Sequence, residues 1–170
     1  LVAALLLATA CAPVATRPVE EAPLVWPPAP DAPRIAYVTT FAQAADLGIS
    51  RGFFQRIADV LFGRDETRLE RPMAVVAVAG VIYVADPGAK GVHRFDTVRG
   101  DYALLHGADD VALPSPVGLA AGAEGEVYLT DSALGAVFVL KPGAKAAERV
   151  PLGAPLQQPT GIAFDRANGR

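Results

Sequence analysis

Beyond residue 70 the chain is a succession of short apolar runs, each broken by turn-forming residues. The runs are Met73–Val78, Val81–Ala85, Val92–Phe95 and Tyr102–Leu105, then Val117–Ala121, Val127–Thr130, Ala136–Leu140 and Arg149–Leu152. Gly80, the Pro87–Gly91 stretch and Gly100 separate the first four. Runs this short, β-branched and bounded by glycine predict strands, because a helical segment needs about ten residues or more. Upstream, Arg34–Phe41 (RIAYVTTF) predicts a further strand. Phe53, Phe54, Ile57, Val60 and Leu61 fall instead at the spacing of one helical face, with Arg51, Gln55, Arg56 and Asp59 between them. They predict a short amphipathic helix over Phe53–Phe62 that covers part of a core. Gly63–Glu70 mixes both charge signs and reads as a solvated loop.

The apolar runs recur in order, and the recurrence sets the architecture. Pro72, Pro116 and Pro159 are spaced by 44 and 43 residues, while Tyr83 and Tyr128, Asp86 and Asp131, and Val92 and Val137 are each 45 apart. One added residue in the turn at Glu124-Gly125 accounts for the change of offset. Four short strands per unit of about 40–45 residues is the signature of a β-propeller blade. The expected fold is therefore all-β: two four-stranded blades and the start of a third over residues 72–170, with a lead-in strand and short helix over 34–71.

The repeated units carry a more specific pattern. Pro116-Val117-Gly118-Leu119-Ala120, Val127-Tyr128-Leu129-Thr130-Asp131 and Val137-Phe138-Val139-Leu140 form one full set. Ile82-Tyr83-Val84-Ala85-Asp86 and Val92-His93-Arg94-Phe95-Asp96 match it upstream, with Ala74 where the other units carry glycine, and Pro159-Thr160-Gly161-Ile162-Ala163 opens the next unit. This pattern resembles NHL repeats over Arg71–Arg170. The resemblance implies a six-bladed propeller of the bacterial envelope, of which this chain is an N-terminal part, since six blades require roughly 260 residues. It also implies that Asp86 and Asp131 hold the following turn through backbone N–H groups. Tyr83 and Tyr128 would fill space between blades. Gly118 and Gly161 would sit at the start of inner strands, where a side chain would crowd the neighbouring blade.

The N-terminal third has a different character. Leu1–Ala10 (LVAALLLATA) is apolar and uncharged, too short for the roughly 20 residues of a membrane span. It fits the hydrophobic centre of an export signal lacking its basic start. The small residues Ala8-Thr9-Ala10 precede Cys11, the only cysteine, and the arrangement resembles a bacterial lipobox, with Ala8 where leucine is usual. The resemblance implies lipidation at Cys11, and Ala12 in place of aspartate implies sorting to the outer membrane. Residues 11–33 then hold seven of the fifteen prolines and no glycine, which reads as an extended stalk at about 3.1 Å per residue. Trp26, the only tryptophan, marks where that stalk begins to dock on the domain.

Composition narrows the function. With 170 residues, 52% apolar and 19% charged, the chain makes one domain plus tails. A net charge of −3 offers no pull toward nucleic acid, and one cysteine excludes an internal disulfide framework. No cofactor is expected. His93 and His106, the only histidines, fall in and after outer strands, away from a central channel, so neither is expected to bind metal or act as a base. Ser50, Ser115 and Ser132 lack a nucleophile-elbow setting. No catalytic residue is assigned. The expected function is a membrane-tethered binding scaffold for an envelope protein or polysaccharide. The alternative is a lactonase-like or amidating-lyase-like propeller enzyme whose ligands lie in further blades.

Overall fold

Residues 24–49, 68–108 and 111–169 are described by the structure, a computed structural model. The helix expected over Phe53–Phe62, the leader at 1–10 and Cys11 lie outside these residues. The chain divides into two compact units, residues 1–39 and 40–170.

In the first unit, β1 (Val25–Trp26) pairs antiparallel with β2 (Ile35–Ala36), Trp26 standing opposite Ile35 and Val25 opposite Ala36. Backbone bonds from Arg34 N–H to the Trp26 carbonyl and from Tyr37 N–H to the Leu24 carbonyl extend the hairpin, both 2.7 Å. The strand expected over Arg34–Phe41 is thus confined to two residues. Pro28, Pro30 and Pro33, which lack N–H donors, occupy the connection between the strands.

Among the described residues of the second unit the structure is all-β apart from one short 3-10 helix. The eight strands are β3 (Ala74–Val78), β4 (Val81–Asp86), β5 (Gly91–Asp96), β6 (Asp101–Gly107), β7 (Pro116–Ala121), β8 (Val127–Asp131), β9 (Ala136–Leu140) and β10 (Ala146–Arg149). They form one sheet in the order β3-β4-β5-β6-β10-β9-β8-β7. Every pairing is antiparallel except β6 with β10, which meet in parallel at His106–Ala146 and Gly107–Ala147. The sheet curls back on itself, so that β7 returns beside β3 and β4. A 3-10 helix, Ala44–Leu47, precedes it and ends at Gly48 with φ +72°.

The register reproduces the sequence period. Val76 faces Tyr83 in the first half of the sheet and Ala120 faces Tyr128 in the second. The first hairpin turns in two residues, Ala79 and Gly80, whose φ angles of 50° and 80° suit a right-twisted hairpin. A Cβ at Gly80 would lie 2.5 Å from Val98 Cγ2. The equivalent turn in the second half holds three residues, Ala123–Gly125, because Gly122 N–H bonds to the Glu126 carbonyl at 2.8 Å. That is the single added residue.

One strand is displaced from its expected place. The apolar residues Val150 and Leu152 predict a strand at Arg149–Leu152, whereas β10 runs from Ala146 to Arg149. Ala147 is fully buried there, and Pro151, having no N–H, cannot continue the ladder. The segment from Pro159 to Asp165 has no strand partner among the described residues and forms no ladder.

Two apolar clusters flank β3–β6. One joins Tyr83, Val92 and Leu105 to Leu113, Val127, Leu129, Phe138 and Leu140, so both halves of the sheet share a core. The other places Val84 and Phe95 against Ala44 and Ile49, with Phe41, Leu47 and Leu69 at its margin.

Candidate functional site

Asp86 and Asp131 end β4 and β8 and are both fully buried. Each carboxylate accepts backbone N–H groups from the turn that follows: Asp86 from Gly88 at 2.8 Å and Ala89 at 3.3 Å, Asp131 from Ala133 at 3.0 Å and Leu134 at 2.9 Å. Each also reaches the segment entering its own unit. Asp131 accepts from Ser115 N–H at 3.0 Å, and Asp86 from Arg71 N–H at 2.9 Å and Glu70 N–H at 2.7 Å. The residue aligned with Glu70 is Pro114, which has no N–H to give, so Asp131 has one donor fewer.

Behind Asp86 stands His93, fully buried, with Nε2 at 3.4 Å from Asp86 Oδ2 and Nδ1 at 2.9 Å from the Tyr102 hydroxyl. The ring stacks against Phe95 at 5.9 Å between centroids. An ionised Asp86 can only accept, so the neutral imidazole keeps its proton on Nε2 and receives the Tyr102 hydroxyl proton at Nδ1. At 3.4 Å the Asp86 contact is electrostatic rather than a well-formed hydrogen bond. Burial pushes the His93 pKa below its ordinary value of 6.5, although the Asp86 charge pulls it upward. Burial alone would raise the Asp86 pKa, but the four backbone N–H donors outweigh it and leave the carboxyl below its ordinary 3.8. An Asp–His–Tyr chain resembles catalytic machinery in its residue types. With Asp86 and His93 sealed from solvent, no substrate atom can reach them, and the chain clamps β4, β5 and β6 together. Neither the spacing nor the composition announced this network, which assembles across three strands.

The other residues singled out in the sequence are placed as follows. Tyr83 packs in the core shared by the two halves, and Tyr128 stacks on Phe164 at 5.8 Å with rings 9° apart. A Cβ on Gly118 would stand 2.7 Å from Thr130 Oγ1 and 3.3 Å from the Gly161 Cα, whereas one on Gly161 would have no neighbour within 4 Å among the described residues. His106 Nδ1 lies 3.1 Å from the Lys90 carbonyl. Among the described residues no group of three or more His, Cys, Asp or Glu is placed to hold a metal.

A solvent-open cavity of about 340 Å³ lies where turns from the two halves meet. Val78-Ala79 and Val98-Arg99 come from the first half, Glu124-Gly125 and Pro142-Gly143 from the second. Its floor holds Tyr83, Arg94 and Asp96. Arg94 is held by Asp101 at 2.6 Å and Asp96 at 3.6 Å, and Asp96 also accepts N–H bonds from Val98 and Arg99 at 3.2 and 2.8 Å. Arg99 is largely exposed at the lip, as is Glu124 on the facing turn. The cavity thus presents a fixed guanidinium beneath two exposed charges of opposite sign, of which Arg99 also lies 3.7 Å from Asp96. Sequence reasoning missed it because its lining comes from four separate turns.

The chain matches no protein-family model, and no curated protein is similar to it. Its chemistry rests on its own residues.

Proposed function

We propose that the chain is part of an exported NHL-type β-propeller, anchored through a lipid on Cys11, that serves as a binding scaffold in the bacterial envelope. The observation that carries the reading is the repetition of one four-stranded antiparallel unit at an offset of 44 to 45 residues, with first strands β3 and β7 side by side. In this reading each unit is a blade, Gly118 and Gly161 mark where successive inner strands abut, and the segment from Pro159 opens the next blade. Binding is favoured over catalysis because β3 and β7 offer only aliphatic side chains, glycine and proline toward the axis. The turns that frame the Arg94 cavity supply the charged and shaped surface instead, suited to an envelope protein or polysaccharide.

Two measurements test this. Fractionation of cells carrying Cys11→Ala is expected to move the protein from the membrane to the soluble periplasmic fraction. Unchanged membrane association sinks the anchor. Affinity capture from native envelope with wild type and with Arg99→Glu/Glu124→Arg is expected to lose the partner only in the variant. Equal recovery from both removes the rim as the binding surface.

A further inference from the structure

The hairpin of the first unit exposes an organised apolar face. Trp26 and Ile35 are directly opposed, and the Tyr37 N–H to Leu24 carbonyl bond sets Leu24 opposite Tyr37. Side chains two residues apart share a face of a strand, so Leu24, Trp26, Ile35 and Tyr37 form a single two-by-two patch. These four residues are 61%, 49%, 65% and 48% exposed. Monomeric proteins seldom leave such contiguous apolar surface open without a use for it. Over residues 24–39 the only charges are Asp31 and Arg34, which cancel.

We infer that this face is a membrane-docking surface, lying in the interface of the same bilayer that holds Cys11. The inference rests on the lipid-anchor reading of Cys11. Leu24 lies thirteen positions beyond Cys11, a reach of about 40 Å as extended polyproline. A lipid on Cys11 therefore keeps the hairpin within reach of the bilayer, and tethering turns weak interfacial affinity into stable contact. Tryptophan and tyrosine flanked by aliphatic residues suit the headgroup boundary, where an apolar body and a polar tip are both accommodated. The balanced charge points to hydrophobic partition rather than attraction to anionic lipid, so contact should persist in salt. Docking would hold the proline-rich segment against the membrane instead of lifting the propeller away from it.

The sequence provides its own probes, one cysteine for attachment and one tryptophan for readout. The full chain is coupled through the Cys11 thiol to maleimide-bearing lipid in phosphatidylethanolamine–phosphatidylglycerol vesicles, and Trp26 emission is followed with brominated acyl chains as quenchers. The expected result is solvent-like emission in buffer, then a blue shift and bromine quenching on vesicles, both insensitive to added salt. Ile35→Asp should lower the quenched fraction about tenfold through loss of apolar burial, while Ala36→Asp, on the opposite face, should leave it unchanged. Emission that stays solvent-like on vesicles overturns the inference, as does emission already blue-shifted in buffer, which would mean that protein covers the face. Equal loss from Ala36→Asp also overturns it. Because coupling is chemical, this outcome is independent of Cys11→Ala fractionation, and failure of the anchor reading shows separately.

Discussion

Asp86 and Asp131 occupy the same place in two copies of one unit, and their differences trace to single neighbours. Pro114 removes a donor that Glu70 provides, and Phe138 fills the position of His93. Removing either carboxylate breaks the part-buried hydrogen bonds it accepts, each worth about 0.5–1.5 kcal/mol net. Asp86→Ala is therefore expected to destabilise by about 3 kcal/mol and Asp131→Ala by about 1–2 kcal/mol in urea unfolding. Equal losses would show that the extra Glu70 bond contributes nothing. The histidine adds a pH dependence whose sign follows from burial. Its folded pKa lies below 6.5, so the unfolded chain takes up the proton first, and stability falls as the pH drops below about 6.5 toward the folded value. Asp86, held below 3.8, contributes stability that is lost only as the pH falls through its folded pKa, in a separate and lower window. His93→Phe copies the second unit. It should abolish the loss between pH 6.5 and the Asp86 window, and unfolding midpoints across that range will report whether it does.

At the scale of the strand, the two halves solve one packing problem in two ways. In β3–β4 Ala74 faces Ala85, whereas in β7–β8 Gly118 faces Thr130. The larger side chain at Thr130 takes up the space that a Cβ at Gly118 would need, 2.7 Å from its Oγ1. Thr130 Oγ1, buried and without a hydrogen-bond partner among the described residues, is the cost of that choice. Gly118→Ala alone should destabilise by about 1–3 kcal/mol from overpacking, and adding Thr130→Ala, which recreates the Ala74–Ala85 pair, should restore most of the loss. If the double variant is no more stable than the single one, the clash lies instead with Gly161 and Ile162, 3.3 Å away. The strands themselves were legible in the sequence because short β-branched apolar runs and glycine turns repeat with a fixed period. The departure at Ala74 was visible too, but its partner at Ala85 needed the register. β10 was misplaced because apolar content drew the strand toward Val150 and Leu152, while burial goes to the small Ala147. Contacts such as Asp86–His93–Tyr102 and the four-turn cavity depend on which strands become neighbours, and local pattern does not encode that.

For the molecule as a whole, the decisive feature is that its larger core belongs to neither half alone. Tyr83, Val92 and Leu105 from β3–β6 interlock with Val127, Leu129, Phe138 and Leu140 from β7–β10, and the parallel contact of β6 with β10 ties the outer strands. Repeat architectures gain their stability from such interfaces between neighbouring units as well as within each unit. A cavity made in one half should therefore weaken the other. Leu129→Ala, at a fully buried site in β8, is expected to cost about 2–5 kcal/mol. The informative readout is amide hydrogen exchange resolved by strand. Protection should drop in β4 and β5, across the shared core, by nearly as much as in β8 and β9. Phe95→Ala provides the contrast, since Phe95 faces the second cluster with Ala44 and Ile49. It should expose the 41–49 segment to exchange before it loosens β8. Were Leu129→Ala to leave β4 and β5 fully protected, the halves would be folding as independent sheets. The side-by-side packing of like units, on which the propeller reading depends, would then lack an energetic basis.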